Sequence, residues 1–438
     1  MRVTSSGSQY ATINEWGRAL SATGLPLFGE ESRKLFLGDP SFIHLNHGSF
    51  GGVPAPVEDA CQNLSKSIDR NFDYFMRYKY FNHIDSARAA VASFVGAEVD
   101  TCVFVPNVAT GIGTVLKNFE WQSGDILVHT DLIFTTIASA IRELSRNQPA
   151  LQIVEFVVDL PTSHASILKS FRNHIRVLKT DSVKQRPTSK VVALFESISS
   201  TPAIILPWKD MVRICREEGV WSIVDAAHSL GQEIKLELGA VNPDFWISNC
   251  SKWLYAKRSS ALLYVPFRNQ GMIKQPVLPG FKYQSPGVRP SDFVWQFYWS
   301  GMTDPIPVLS VEIALAFRKV IGGEEKINTY CHSLAMIGGR RIVEILGTSI
   351  LDSSEKEGEF IGNMINVELP LPSTILPSAE LYFKFQEELF EIHGISAILF
   401  SYKGRWWARA SAQIYNQLSD FEFLGDTLKV ICQKLREI

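Results

Sequence analysis

The 438-residue sequence has no excess of charge of either sign: 43 Lys and Arg stand against 45 Asp and Glu, a net of −2. It also lacks any Lys/Arg-rich tract, and a protein that binds a nucleic-acid polyanion needs such a patch. A DNA or RNA surface is therefore not expected, which leaves room only for a locally basic pocket. No run approaches the roughly 18 apolar residues that cross a bilayer, so no membrane span is expected. The N-terminal stretch MRVTSSGSQYATINEW has one Arg and no apolar segment, unlike a secretory signal. The six cysteines (Cys61, Cys102, Cys215, Cys250, Cys331, Cys432) are scattered, with no CxxC and no regular spacing. Neither a zinc or other metal site nor a disulfide frame is indicated, and the expectation is reduced thiols in a cytoplasmic protein. What the chain does have is apolar matter: 46% hydrophobic residues, enough for a large core and against wholesale disorder. Its length predicts two or three lobes, or one large enzyme fold with a satellite.

Residues 1–40 are polar, Ser/Gly-rich and weakly periodic, and read as an N-terminal arm that docks or frays. A short apolar run then enters a Gly-rich turn around Asn46, His47 and Gly48, and helical spacing follows across 55–95. Seven apolar, β-branched runs lie at 102–105, 126–129, 151–158, 191–195, 221–224, 244–248 and 261–265. Amphipathic stretches separate most of them, notably 108–119, 134–146 and 207–219. Strands that are apolar throughout and alternate with helices predict an α/β fold, a mostly parallel seven-stranded sheet covered on both faces. The rhythm breaks in a Pro/Gly-rich segment after Pro266; one long helix is predicted over 306–347, and an α+β portion closes the chain. The organisation expected is an arm over 1–40, a large α/β domain over 41–325 and a small α+β domain over 326–438.

Ligands of an open α/β sheet bind beyond the carboxyl ends of its strands, so the residues just after the apolar runs are the informative ones. Asn107, Ala109 and Thr110 follow the first run and open a helix; Asp225 and His228 follow the fifth; Asn249, Ser251 and Lys252 follow the sixth. Each has an ordinary explanation alone: Asp225 as a cap, His228 as a core histidine, Lys252 as a surface lysine, Thr110 as a helix start. Together, in chain order at three strand ends, they meet the demands of pyridoxal 5′-phosphate. That cofactor needs an amine for its aldehyde and a carboxylate to keep the pyridine nitrogen protonated, so that the ring works as an electron sink. It also needs a partner for its phenolic oxygen and a helix N-terminus for its phosphate. Rival motifs fall short. Gly111-Ile-Gly113 lacks the third small residue of a dinucleotide fingerprint, because Leu116 stands there, and His47-Gly48-Ser49-Phe50-Gly51 lacks the first glycine of a nucleophile elbow.

The run from Ser222 through Asp225 and His228 to Gln232, with Asn249-Cys-Ser-Lys252-Trp253-Leu254, resembles the class V aminotransferase superfamily of pyridoxal phosphate fold type I. Within it the chain is most similar to the isopenicillin N epimerase-like branch. His44 to Gly51 resembles that branch's substrate loop (here within 41–60), and Glu196 to Ala203 its segment two strands before the lysine. Trp299-x-Gly301-x-x-Asp304 resembles its W-x-G-x-x-D motif, and Arg409 to Asn416 its R-x-S-x-x-x-Y-N motif. The resemblance implies that Lys252 forms the aldimine and then acts as acid and base at Cα. It implies that Asp225 pairs with the pyridine nitrogen and that His228 meets the phenolic oxygen. Ala109, Thr110, Asn249 and Ser251 would hold the phosphate, Phe134 would stack on the ring, and Thr303 would reach the phosphate of the neighbouring subunit, since the family builds its sites across a homodimer. Arg409 would grip the substrate carboxylate, with Asn46 and His47 on the same side. The chain departs from the family at Ser251, where many members have His, and at Ala256-Lys257-Arg258-Ser259, where A-P-x-G is usual. Lys257 is the rival amine.

The resemblance implies a small amino-acid substrate and a carbanion at Cα, and leaves its fate open. Epimerase-like or lyase-type chemistry is the main expectation, including natural-product roles in alkaloid or peptide metabolism with decarboxylation or cyclisation. A cysteine desulfhydrase or β-lyase, an aminotransferase and a non-catalytic scaffold of the same fold are the alternatives. Sulphur-abstracting members carry a catalytic Cys on a mobile C-terminal loop, whereas Cys331 and Cys432 fall in predicted helices. For an epimerase the base on the second face is not identified; His47 and Tyr255 are the candidates.

Overall fold

The computed structural model describes residues 27–274, 292–299, 301–372, 374–376 and 378–436. Most of the expected arm and nearly all of the Pro/Gly-rich segment after Pro266 lie outside the described residues. All seven apolar runs form strands of one sheet: β1 (Cys102–Val105), β2 (Ile126–Thr130), β3 (Gln152–Phe156), β4 (Val191–Glu196), β5 (Trp221–Asp225), β6 (Phe245–Asn249) and β7 (Ala261–Tyr264). Their spatial order is β1-β7-β6-β5-β4-β2-β3. Only β7 runs against its neighbours; the other pairings are parallel. Strands β1, β4 and β7 are buried along their whole length, as expected of a sheet with helices on both faces, and only the edge strand β3 has exposed residues, Gln152 and Glu155.

The stretch 55–95 is helical as its spacing predicts, in three segments, Ala55–Arg70, Phe72–Tyr78 and Tyr80–Val95, and one expectation for helices needs correction. Asn71 starts the second, its side chain accepting the Tyr74 N–H. The single helix predicted over 306–347 is two, Ile306–Val320 and Gly323–Leu346. Apolar spacing runs on through the break, but Gly322 and Gly323 take φ of +121° and +80°, a region where a side chain is strained, and the chain turns there.

The second of those helices joins two apolar cores. Ile327 and Cys331 pack with the large sheet's core, while Leu334, Ile342 and Leu346 pack under a three-stranded antiparallel sheet. That sheet consists of β8 (Met364–Glu368), β9 (Ile398–Tyr402) and β10 (Arg405–Ser411), with β10 central. Ile43–His44 adds a parallel pairing to Ile395–Ser396, so the loop that follows at 46–51 is held between the two cores. Among the described residues, no helix is long and apolar enough to cross a membrane.

Candidate active site

The carboxyl ends of β1, β2, β4, β5 and β6 open on one cavity of about 350 Å³. Its walls include Asn107, Val108 and Ala109 after β1, Phe134 after β2, Glu196 ending β4, Asp225 ending β5 with His228 beyond it, and Asn249 ending β6 with Lys252 beyond it. Ser49 and Ser200 close it from two loops. Asp225 is not a helix cap: Oδ1 accepts the Ala227 N–H at 3.0 Å in a tight turn. Burial pushes this carboxyl above its ordinary pKa, against the pull of that N–H and of the Lys252 amine.

The Lys252 Nζ lies 3.1 Å from His228 Nε2. Burial brings the amine down to about 8; Asp225 opposes the shift and Arg409 adds to it. An amine with that pKa is about a tenth free base at pH 7, far more than an ordinary lysine, and the free base is the form that attacks an aldehyde. The rival Lys257 is committed elsewhere, its Nζ 2.7 Å from a Glu58 carboxylate oxygen and its backbone N–H donating to Ser310 Oγ at 2.8 Å.

Glu196 is a site residue whose role the sequence left unassigned. Strands β4 and β5 are in register with Glu196 opposite Asp225, so two buried carboxyls share the cavity floor. The Thr130 hydroxyl donates to Oε2, and Oε1 has no protein partner. Burial, with Asp225 alongside, pushes Glu196 up to about 8. The unfolded chain releases this proton near the ordinary value of 4.5, while the folded chain keeps it up to about 8. The stabilisation is therefore complete below pH 4.5 and is lost as pH rises through about 8, at up to about 1.4 kcal/mol per pH unit. Replacement Glu196→Gln should flatten the fall in melting temperature of cofactor-free protein between pH 5 and 8; an unaltered slope would show that the carboxyl is already ionised.

The helix Val108–Asn118 presents its N-terminus to the cavity. Asn107 Oδ1 takes the Thr110 N–H at 2.8 Å and Asn249 Oδ1 takes the Val108 N–H at 3.3 Å. The Ala109 N–H is engaged by neither side chain, and the dipole end faces the cavity. Phe134 stands half-exposed on the wall, whereas Thr110, Ser251 and Thr303 do not line it, and Thr110 and Thr303 are exposed. Ser251 instead backs onto the loop at 46–51. Gly51 sits at φ +68°, and a Cβ there would come within 1.9 Å of the Ser251 carbonyl oxygen, so only glycine lets the two segments meet.

Arg409 comes from the middle of β10 and is 1% exposed. Nη1 donates to the Ser200 carbonyl at 2.9 Å and its hydroxyl at 3.2 Å; Nη2 donates to Asn46 Oδ1 and Ser49 Oγ, both at 2.8 Å. Nε is buried without a partner, and among the described residues no carboxylate pairs with the guanidinium. Desolvation lowers its pKa to about 10. A buried cation with no counter-ion, held by two residues of the cavity wall, is the complement of a substrate carboxylate.

Two further expected positions, His47 and Tyr255, are not brought to this cavity either. His47 shares a hydrogen bond between Nδ1 and the Tyr415 hydroxyl at 3.1 Å and, with Asn46, lines a different and larger cavity of about 900 Å³ beyond the loop. Burial lowers its pKa to about 3, so it is a neutral ring there. The larger cavity has the volume but not the strand-end lysine and carboxylates. Tyr255 is fully buried, with its hydroxyl on Gln413 and its ring against Phe36, His47 and Phe317. Asn46 does reach the site, through Arg409.

The smaller cavity's donor set fits pyridoxal 5′-phosphate: an amine of lowered pKa, a buried carboxylate opposite it, an imidazole N beside the amine, a helix N-terminus and an aromatic ring on one wall. Glu196, another wall residue, leaves its Oε1 buried without a protein partner.

A family profile described as aminotransferase class-V matches residues 53–358. An L-cysteine desulfhydrase-like protein, lolT1, of Epichloe uncinata is 32% identical, over 93% of this chain and 96% of its own length. A hercynylcysteine sulfoxide lyase of Schizosaccharomyces pombe is 28% identical over 93% and 98%, and an isopenicillin N epimerase of Amycolatopsis lactamdurans 24% over 65% and 71%. Among solved structures, a C-DES mutant with glycine covalently linked to its pyridoxal phosphate cofactor shares the fold, with a TM-score of 0.72 over 91% of this chain and 98% of its own at 16% identity. With the family's profile covering more than half of the chain and a full-length relative above 30% identity, this protein belongs to the class V aminotransferase family.

Proposed function

We propose that this protein is a pyridoxal 5′-phosphate-dependent lyase that opens the Cβ–S bond of a cysteine derivative. The observation that carries the proposal is the single cavity shared by the Lys252 amine and Asp225, with the counter-ion-free Arg409 guanidinium at its rim. When bound, the cofactor supplies an electron sink that makes the substrate's Cα–H acidic. Lys252 would offer its amine to the cofactor aldehyde, Asp225 would hold a proton on the pyridine nitrogen, and His228 would meet the phenolic oxygen. The Ala109 N–H and Asn249 would hold the phosphate, and Arg409 would take the substrate carboxylate through charge-assisted hydrogen bonding. Thr303, outside this chain's cavity wall, is assigned to the cavity of a second copy in a homodimer.

Elimination needs one base at Cα, and Lys252 is the one amine on the wall among the described residues. It would remove the Cα proton, sulphur leaving with the Cβ–S electron pair, and water would turn the product into pyruvate and ammonia. All six cysteines are buried, and burial pushes Cys331 and Cys432 up to about 12. No thiolate is therefore supplied to pull the sulphur away as a persulfide. The relatives called desulfhydrase-like and sulfoxide lyase support the same reading.

The test is incubation of holo-protein with cysteine, its S-conjugates and their sulfoxides in heavy water. The expected result is pyruvate in step with released sulphide, thiol or sulfenate. Amino acid recovered with deuterium and inverted configuration at Cα, without pyruvate, would replace the lyase with an epimerase, the reading that the isopenicillin N epimerase relative favours.

A further inference from the structure

His228 contacts two side chains whose donor capacities decide its protonation. On one side, the Trp253 indole N–H reaches Nδ1 at 3.2 Å; on the other, Nε2 lies 3.1 Å from the Lys252 amine. An indole nitrogen only donates, so Nδ1 must be the acceptor, and the proton of a neutral ring then sits on Nε2. We propose that Trp253 is a positioning residue: by occupying Nδ1 it fixes the His228 tautomer that points an N–H at Lys252 and at the cavity. The contact between His228 and Lys252 can then be made only as Nε2–H donating to the lone pair of an unprotonated amine. A protonated lysine would set an N–H against an N–H.

Every other group near the imidazole is consistent with a neutral ring. Burial lowers the His228 pKa well below its ordinary value, and the Lys252 and Arg409 charges act in the same direction. Asp225 spends its Oδ1 on the Ala227 N–H, and His47, across the indole with ring centroids 5.6 Å apart, is itself neutral. The indole is not free to turn away. Trp253 is 1% exposed, and Arg318 donates to its carbonyl at 2.7 Å and to the Gly231 carbonyl at 2.9 Å. Arg318 thereby ties the loop after β6 to the loop after β5, and is paired with Glu324 across the Gly322–Gly323 turn. The assignment gives the dipeptide Lys252-Trp253 two linked jobs, one residue supplying the amine and the next setting the histidine that keeps it free.

The purpose of the tautomer rests on the proposed cofactor, but its existence does not, so the test uses cofactor-free protein. In wild-type protein with ¹⁵N-labelled histidine, His228 should show a bare Nδ1 and a protonated Nε2; a protonated Nδ1 overturns the proposal. In Trp253→Phe an aromatic ring stays and the donor goes. The arrangement in which a protonated Lys252 donates to Nε2 then becomes available, and the amine's pKa should rise by at least about one unit. The readout is the pH midpoint of Lys252 acylation, followed by peptide mass: about 8 in wild type and about one unit or more above that in the variant. Trp253→Gln, which restores an N–H, should bring the midpoint back towards 8, and equal midpoints in all three proteins overturn the proposal. Failure to bind cofactor with the midpoints moving as stated would overturn the proposed function and leave the tautomer standing.

Discussion

Lys252→Ala should lower the rate of pyruvate release by about 10⁴-fold or more, while the melting temperature of the cofactor-free protein changes by only a few degrees. The size follows from the two roles that the side chain combines, a nucleophilic amine and the acid/base at Cα; general acid–base catalysis alone is worth about 10²–10⁴. The small effect on folding follows from its contacts, since the amine's one hydrogen bond in the structure is to His228. Steady-state pyruvate release, with differential scanning of the same samples, checks both halves. Turnover within tenfold of wild type would transfer the chemistry to another amine, and Lys257, salt-bridged to Glu58, would be the first to examine.

Arg409→Lys should raise KM for the amino-acid substrate by roughly 10- to 150-fold and leave the visible absorbance of bound cofactor in place. A hydrogen bond to a charged group contributes about 1.5–3 kcal/mol, and an ammonium cannot reproduce the planar fork that also spans Ser200, Asn46 and Ser49. Since the guanidinium holds no carboxylate among the described residues, the substitution breaks no ion pair in the resting protein. Kinetics over a range of substrate concentrations, with a cofactor titration beside them, separates the two effects. Loss of cofactor with KM unchanged would move Arg409 out of the substrate's path.

The parts of this site that could be read in the chain are those in which local pattern and function coincide. Strands buried on both faces have to be apolar throughout, so a polar residue ending such a run stands out, and Asp225 after WSIV and Asn249 after FWIS do so. Glu196 ends VVALF in the same way and could have been read by the same rule; its register opposite Asp225 is the information that only the sheet supplies. The contacts around Arg409 are a different case. Arg409 stands out only through the resemblance of its motif to the family's, and its hydrogen bonds to Ser200 and Ser49 join three segments far apart in the chain, which no local pattern shows. His47 shows the reverse case. It sits in a motif beside Asn46, yet the short helix His47–Phe50 turns it to the larger cavity while Asn46 meets Arg409. The Gly322–Gly323 break was legible as a pair of glycines, but the apolar spacing on both sides masked it.

The measurement that bears most directly on the account is borohydride reduction of the cofactor-loaded protein followed by peptide mapping. The account predicts one pyridoxyl-phosphate adduct, on the lysine of the Ser251-Lys252-Trp253 peptide, absent from the Lys252→Ala protein. An adduct on Lys257, or bound cofactor that borohydride does not fix to any lysine, would contradict it.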